Sequence, residues 1–98
     1  MQSNAIPVRV PEVISRLLDG EAILVHPAQG KVRVLNTVGA RIWDLADGSR
    51  DLAALAEAIT AEYDVSPERA LADVTAFCED LVRRGVMVFR ETARTGHG

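Results

Sequence analysis

The 98-residue chain is 48% hydrophobic, 4% aromatic and 26% charged, with a formal net charge of −3, so it is bounded as one small domain with a single core of Leu, Val, Ile and Ala. Net negative charge argues against affinity gained by neutralising phosphates, and no nucleic-acid partner is expected. No run approaches the roughly 20 apolar residues that cross a bilayer, and Met1-Gln2-Ser3-Asn4 lacks the features of a signal peptide, so a cytoplasmic protein with no membrane partner is expected.

Residues 1–12 hold two prolines among polar residues and predict a poorly ordered or extended lead-in, with Val8 and Val10 touching a domain that spans 13–90. Val13–Leu18 reads as a first strand. Asp19-Gly20 then supplies a two-residue hairpin, because Asp tolerates and Gly freely adopts positive φ. Glu21–His26 is the second strand, Pro27-Ala28-Gln29-Gly30 the next turn, and Lys31–Leu35 a third strand that completes an antiparallel meander.

After Leu35 the apolar period changes from alternation to helical spacing through Val38, Ile42, Trp43 and Leu45. Asn36 or Thr37 can cap this first helix, and Asp47-Gly48 stops it. Asp51 caps a second helix over Leu52–Glu62, with Leu52, Leu55 and Ile59 on its apolar face. Ser66-Pro67-Glu68 is the clearest helix start in the chain: a cap, a proline at the first helical position and an acid at the positive dipole end. The third helix should run to about Arg84 and bury a stripe through Ala70, Leu71, Val74, Phe77, Cys78, Leu81 and Val82. Gly85 ends it, Val86–Phe89 is extended, and residues 91–98 should form a disordered tail. The expected fold is α+β and winged helix-turn-helix-like: a three-stranded antiparallel β-meander followed by three α-helices.

Little in this order suggests catalysis. His26, His97 and Cys78 are never at ligand spacing, so no metal is expected. Asp44/Asp47 and Glu79/Asp80 read as solvated helix faces, the glycines sit at turns, and no serine or cysteine is paired with a base. The single Cys78 excludes an internal disulfide and falls on a core-facing helix stripe. Two basic clusters, Lys31, Arg33 and Arg41, then Arg83, Arg84, Arg90 and Arg94, read as solvated positive surface. No catalytic residue and no cofactor are expected.

The run Leu35-Asn36-Thr37-x-Gly39-Ala40-x-Ile42-Trp43-x-Leu45-x-Asp47-Gly48, followed by Tyr63-Asp64-Val65 and Asp73-Val74-x-x-Phe77-x-x-x-Leu81-x-x-x-Gly85, resembles the pyrroloquinoline quinone synthesis protein D (PqqD) family across roughly Val13 to Val88. Its members are recognition elements for ribosomally made, modified peptides. The resemblance implies a noncatalytic domain that binds the leader of a precursor peptide and presents it to a modifying enzyme such as a radical S-adenosylmethionine enzyme, a cyclase or a leader peptidase. It implies a groove in which the peptide adds as a strand to the third strand, lined by Lys31, Val32, Arg33, Val34 and Leu35, and by Asp73, Ala76, Phe77, Asp80, Leu81 and Arg84 of the third helix. Lys31 and Arg33 would meet leader acids, and Asp73 or Asp80 leader bases. Pro27-Ala28-Gln29-Gly30 departs from the Pro-Glu-Gly turn common in members that serve quinone synthesis, so lasso-peptide and other modified-peptide pathways stay open. Two rival readings are a winged-helix DNA-binding regulator and a scaffold subunit that holds a modifying enzyme without reading a peptide.

Overall fold

The computed structural model describes residues 4–90 and contains a two-stranded ribbon, a three-stranded sheet and three helices. In chain order these are β1 (Ile6–Arg9), β2 (Ile14–Leu18), β3 (Glu21–His26), β4 (Lys31–Leu35), α1 (Thr37–Leu45), α2 (Leu52–Glu62), α3 (Pro67–Arg83) and β5 (Met87–Arg90). The tail expected to be disordered lies outside the described residues.

The meander and helix order follow the expected plan. Asp19 (φ 51°) and Gly20 (φ 82°) form the left-handed pair that a tight hairpin needs. β2, β3 and β4 pair antiparallel in that order, with Ala22 opposite Leu35, Leu24 opposite Arg33 and His26 opposite Lys31. Because side chains alternate across a sheet, these six share one face. Ala22, Leu24 and Leu35 are buried there against the helices. The opposite face carries Ile23 and Val25 and leaves Ile14, Leu18, Val32 and Val34 between 52% and 64% exposed.

Each helix starts at an expected cap, and of the two candidates for α1 it is Asn36. Asn36 Oδ1 accepts from Gly39 N at 2.8 Å, Asp51 Oδ1 from Ala54 N at 2.8 Å, and Ser66 Oγ from Arg69 N at 3.2 Å. Ile42, Trp43 and Leu45 of α1, Leu52, Leu55 and Ile59 of α2, and Val74, Cys78 and Leu81 of α3 meet in one core with Leu24, Leu35 and Met87. Arg41 leaves its expected basic cluster: it bridges α1 to α2 through a 2.8 Å contact with Glu62 and also meets Asp44 at 3.0 Å.

The N-terminal segment is extended, one of the two expected forms, but it is part of the fold. Instead of a loose lead-in, Ile6–Arg9 is β1, paired antiparallel with β5 so that Pro7 faces Phe89 and Arg9 faces Met87. Ala5 O accepts from Leu52 N at 3.0 Å, Val10 N donates to Val86 O at 3.1 Å, and the Arg9 guanidinium lies 5.8 Å from the centre of the Trp43 ring. A domain starting at residue 13 therefore omits a strand.

At the β4–α1 junction, close approach explains Gly39. A Cβ there would lie 2.9 Å from Phe77 Cε1 and 3.3 Å from Asn36 Oδ1, so α1 and α3 touch across a hydrogen atom. Alanine normally improves a helix by roughly 1 kcal/mol over glycine, but overpacking costs about 1–3 kcal/mol. Gly39→Ala should therefore lower the urea midpoint; a raised midpoint would show that Phe77 moves aside freely.

Candidate functional site

β4 is an edge strand, since the sheet order is β2-β3-β4, and α3 runs beside it in the opposite direction. Three contacts fix that alignment. The β3–β4 turn meets the α3–β5 turn, where a Cβ on Gly85 (φ 80°) would come within 2.6 Å of Gln29 Nε2. Arg33 reaches Asp80 at 3.7 Å midway. The Asn36-Gly39 junction meets Phe77 at the far end. An edge strand leaves alternate N–H and C=O groups unpaired, and here that edge borders a groove with a helix as its other wall.

The expected site residues other than the two aspartates divide into four groups. Lys31, Arg33 and Arg84 gather at the Gly85 end, around a pocket of about 610 Å³ that also takes His26, Gln29 and Arg83. Leu35 and Leu81 are 6% and 1% exposed and belong to the core beneath the groove, not to its lining. Phe77 is half-buried and Ala76 exposed on the stretch of α3 that meets the β4–α1 junction. Val32 and Val34 point to the outer face of the sheet, away from α3, because alternation gives the inner face to Lys31, Arg33 and Leu35.

The two aspartates do not stand free to receive a base. Asp80 accepts from Arg84 Nε at 2.9 Å and lies 3.4 Å from Arg83 and 3.7 Å from Arg33. The Arg84 hydrogen bond, helped by the charges of Arg84, Arg33 and Arg83, holds its carboxyl below the usual range against the opposing effect of burial. Asp73 pairs with Arg69 one turn earlier at 3.2 Å and borders a small apolar pocket formed with Val38, Ile42 and Tyr63 rather than with β4. The groove is thus cationic at one end and apolar at the other.

His26, Gln29 and Arg83 escaped sequence reasoning. His26 was legible from the hairpin register, since it lies opposite Lys31 and two residues after the inward Leu24. Arg83 read only as a charge at the end of a helix, and the turn that delivers Gln29 to Gly85 gave no local sign. Among the described residues no cluster of His, Cys, Asp or Glu can hold a metal ion, and no helix is long and apolar enough to cross a membrane.

Comparison with known proteins places this geometry. The family model described as coenzyme PQQ synthesis protein D (PqqD) matches residues 21–87. The solved structure of TbiB1 in complex with the TbiA(beta) leader peptide is similar, at 29% identity and a TM-score of 0.77 over 82% of this chain and 93% of that one. So is lasso peptide synthetase B1 complexed with the leader peptide, at 25% identity and a TM-score of 0.77 over 86% of this chain and 99% of that one. No curated protein sequence matches the chain.

Proposed function

The chain belongs to the coenzyme PQQ synthesis protein D family, and from that membership we propose that it is a noncatalytic domain that binds the leader of a ribosomal precursor peptide and presents it to a modifying enzyme. The observation that carries this reading is the unpaired edge of β4 held beside α3. A peptide laid there gains main-chain hydrogen bonds as a fourth strand. Its alternate side chains fall into the groove, where Arg33, Arg84 and Phe77 meet them, or onto the outer face beside Val32 and Val34. The two similar structures, both holding leader peptides, support the same use.

No side chain in the groove is asked to make or break a bond. Lys31, Arg33 and Arg84 orient, Phe77 and Ala76 anchor, and the core residues Leu35 and Leu81 keep the two walls at fixed spacing. Apolar contact should dominate affinity and charge should set register, since exposed ion pairs are worth only about 0.2–1 kcal/mol each. A buried, unpaired Cys78 accords with work in a reducing cytoplasm. The DNA-binding alternative fares worse, because α3 opens on Pro67 and Glu68 and pairs its Arg69 with Asp73.

Amide hydrogen exchange tests strand addition directly. In the free protein, alternate β4 amides should be protected by β3 and the rest exposed; saturation with a precursor leader should protect the second set. Protection confined to β2 or to α2 would sink the reading. Val34→Asp should leave the circular dichroism spectrum unchanged, since Val34 is 64% exposed, and weaken the leader several-fold through loss of a cross-strand contact worth about 0.2–1 kcal/mol.

A further inference from the structure

Two residues from each of the basic clusters of the sequence, about fifty residues apart, converge in the fold. Lys31 and Arg33 from β4, and Arg83 and Arg84 from the end of α3, surround one pocket over a floor that includes Leu24 and Val86. Among the described residues the only carboxylate paired with these arginines is Asp80, already shared among Arg33, Arg83 and Arg84. Lys31 makes no ion pair among the described residues. Among the described residues two buried polar atoms of the pocket lining, Arg33 Nε and His26 Nδ1, have no hydrogen-bond partner, and buried polar groups left unmatched are costly. The end of α3 contributes roughly half a negative charge, which together with Asp80 falls short of balancing four cations. The pocket is therefore a positive, partly desolvated cup that the described residues do not satisfy.

We propose that this pocket is an acid-reading subsite that takes an aspartate or glutamate side chain of the peptide added to β4. The inference rests on the peptide-binding reading above and deepens it by fixing polarity. Groove-facing side chains recur every second residue on an added strand. The acid lies at the Lys31 end, and an apolar side chain two or four residues along the strand rests toward Ala76 and Phe77. Lys31 supplies a point-charge donor and Arg33 a forked one to the carboxylate from one side, with Arg83 and Arg84 on the other.

Selection of a random twelve-residue peptide library on the full chain, at low salt, tests the subsite without knowledge of the natural precursor. The expected result is enrichment of peptides with Asp or Glu two or four residues from an apolar residue. A chain carrying both Lys31→Glu and Arg83→Glu, folded by circular dichroism, should bind those peptides about 10- to 100-fold more weakly, and a Lys31→Arg chain should keep the acid preference that a Lys31→Glu chain loses. Peptides that protect β4 amides but show no acid preference, or one unmoved by the double substitution, would overturn the subsite and leave the peptide-binding reading standing. Failure to enrich any peptide that protects β4 would overturn both. Inorganic phosphate serves as the free-anion arm: phosphate binding that Lys31→Glu abolishes, together with no acid preference in the peptides, would make the pocket a small-anion site and overturn the proposal.

Discussion

Replacing Leu81 with alanine should destabilise the domain by about 2–5 kcal/mol. Leu81 is 1% exposed, one turn beyond Cys78 and Phe77 on α3, and it shares a core with Leu24, Leu35 and Val74. Removing its isobutyl group loses the transfer free energy of the buried carbons and leaves a cavity that rigid neighbours on three helices fill poorly. Small domains have only about 5–15 kcal/mol of total stability, so the urea midpoint should fall sharply and leader binding should fall only as the folded fraction does. A Leu81→Ala chain that keeps its midpoint but loses the leader would show instead that Leu81 touches the peptide.

Cys78 should resist alkylation by iodoacetamide at pH 8 about 10³-fold in the native state relative to the denatured chain. Its thiol is 0% exposed, and burial, with a smaller push from Glu79, raises its pKa to about 12. An ordinary thiol, with a pKa near 8.5, is roughly a quarter ionised at that pH, whereas one at 12 keeps only about one thiolate in 10⁴. The consequence for stability has a definite sign. The folded thiol holds its proton while the unfolded one releases it, so this group leaves stability unaffected below the ordinary thiol pKa and lowers it as pH rises from there toward 12. Equal labelling rates with and without denaturant would contradict the burial. Leu81→Ala should speed native labelling, because opening becomes more frequent.

The legible and illegible parts of the fold differ in how far apart their determinants lie. Asp19-Gly20, Asn36, Asp51 and Ser66-Pro67 act on neighbours one to four residues away, and each turn or cap stands where the sequence put it. β1 depends on a partner, β5, about eighty residues along the chain, and Pro7 lowers its strand character further, since proline cannot donate to a ladder. It is tolerated because a two-stranded ribbon has only edges. The groove shows the same division. Alternation along Lys31–Leu35 defines two faces without saying which one is inside, and the valines look the better core residues. The structure turns them out because Leu35 must be buried beside the junction, which forces Lys31 and Arg33 inward, where their stems line the groove and their heads reach Asp80 or solvent. Convergence of Lys31 with Arg83 requires the whole α3 alignment and could not be read from either cluster.

The β1–β5 ribbon carries a consequence for how such a domain can be mounted. Ile6 lies opposite Arg90, so the chain enters and leaves within one strand spacing, about 5 Å. No residue of either strand lines the cationic pocket. The unit can therefore be grafted by both ends into a single surface loop of a larger enzyme, or hung from either end on a tether, with its groove still open. A peptide held in the groove of such a fusion would stay near the host's reactive centre at a local concentration set by tether length.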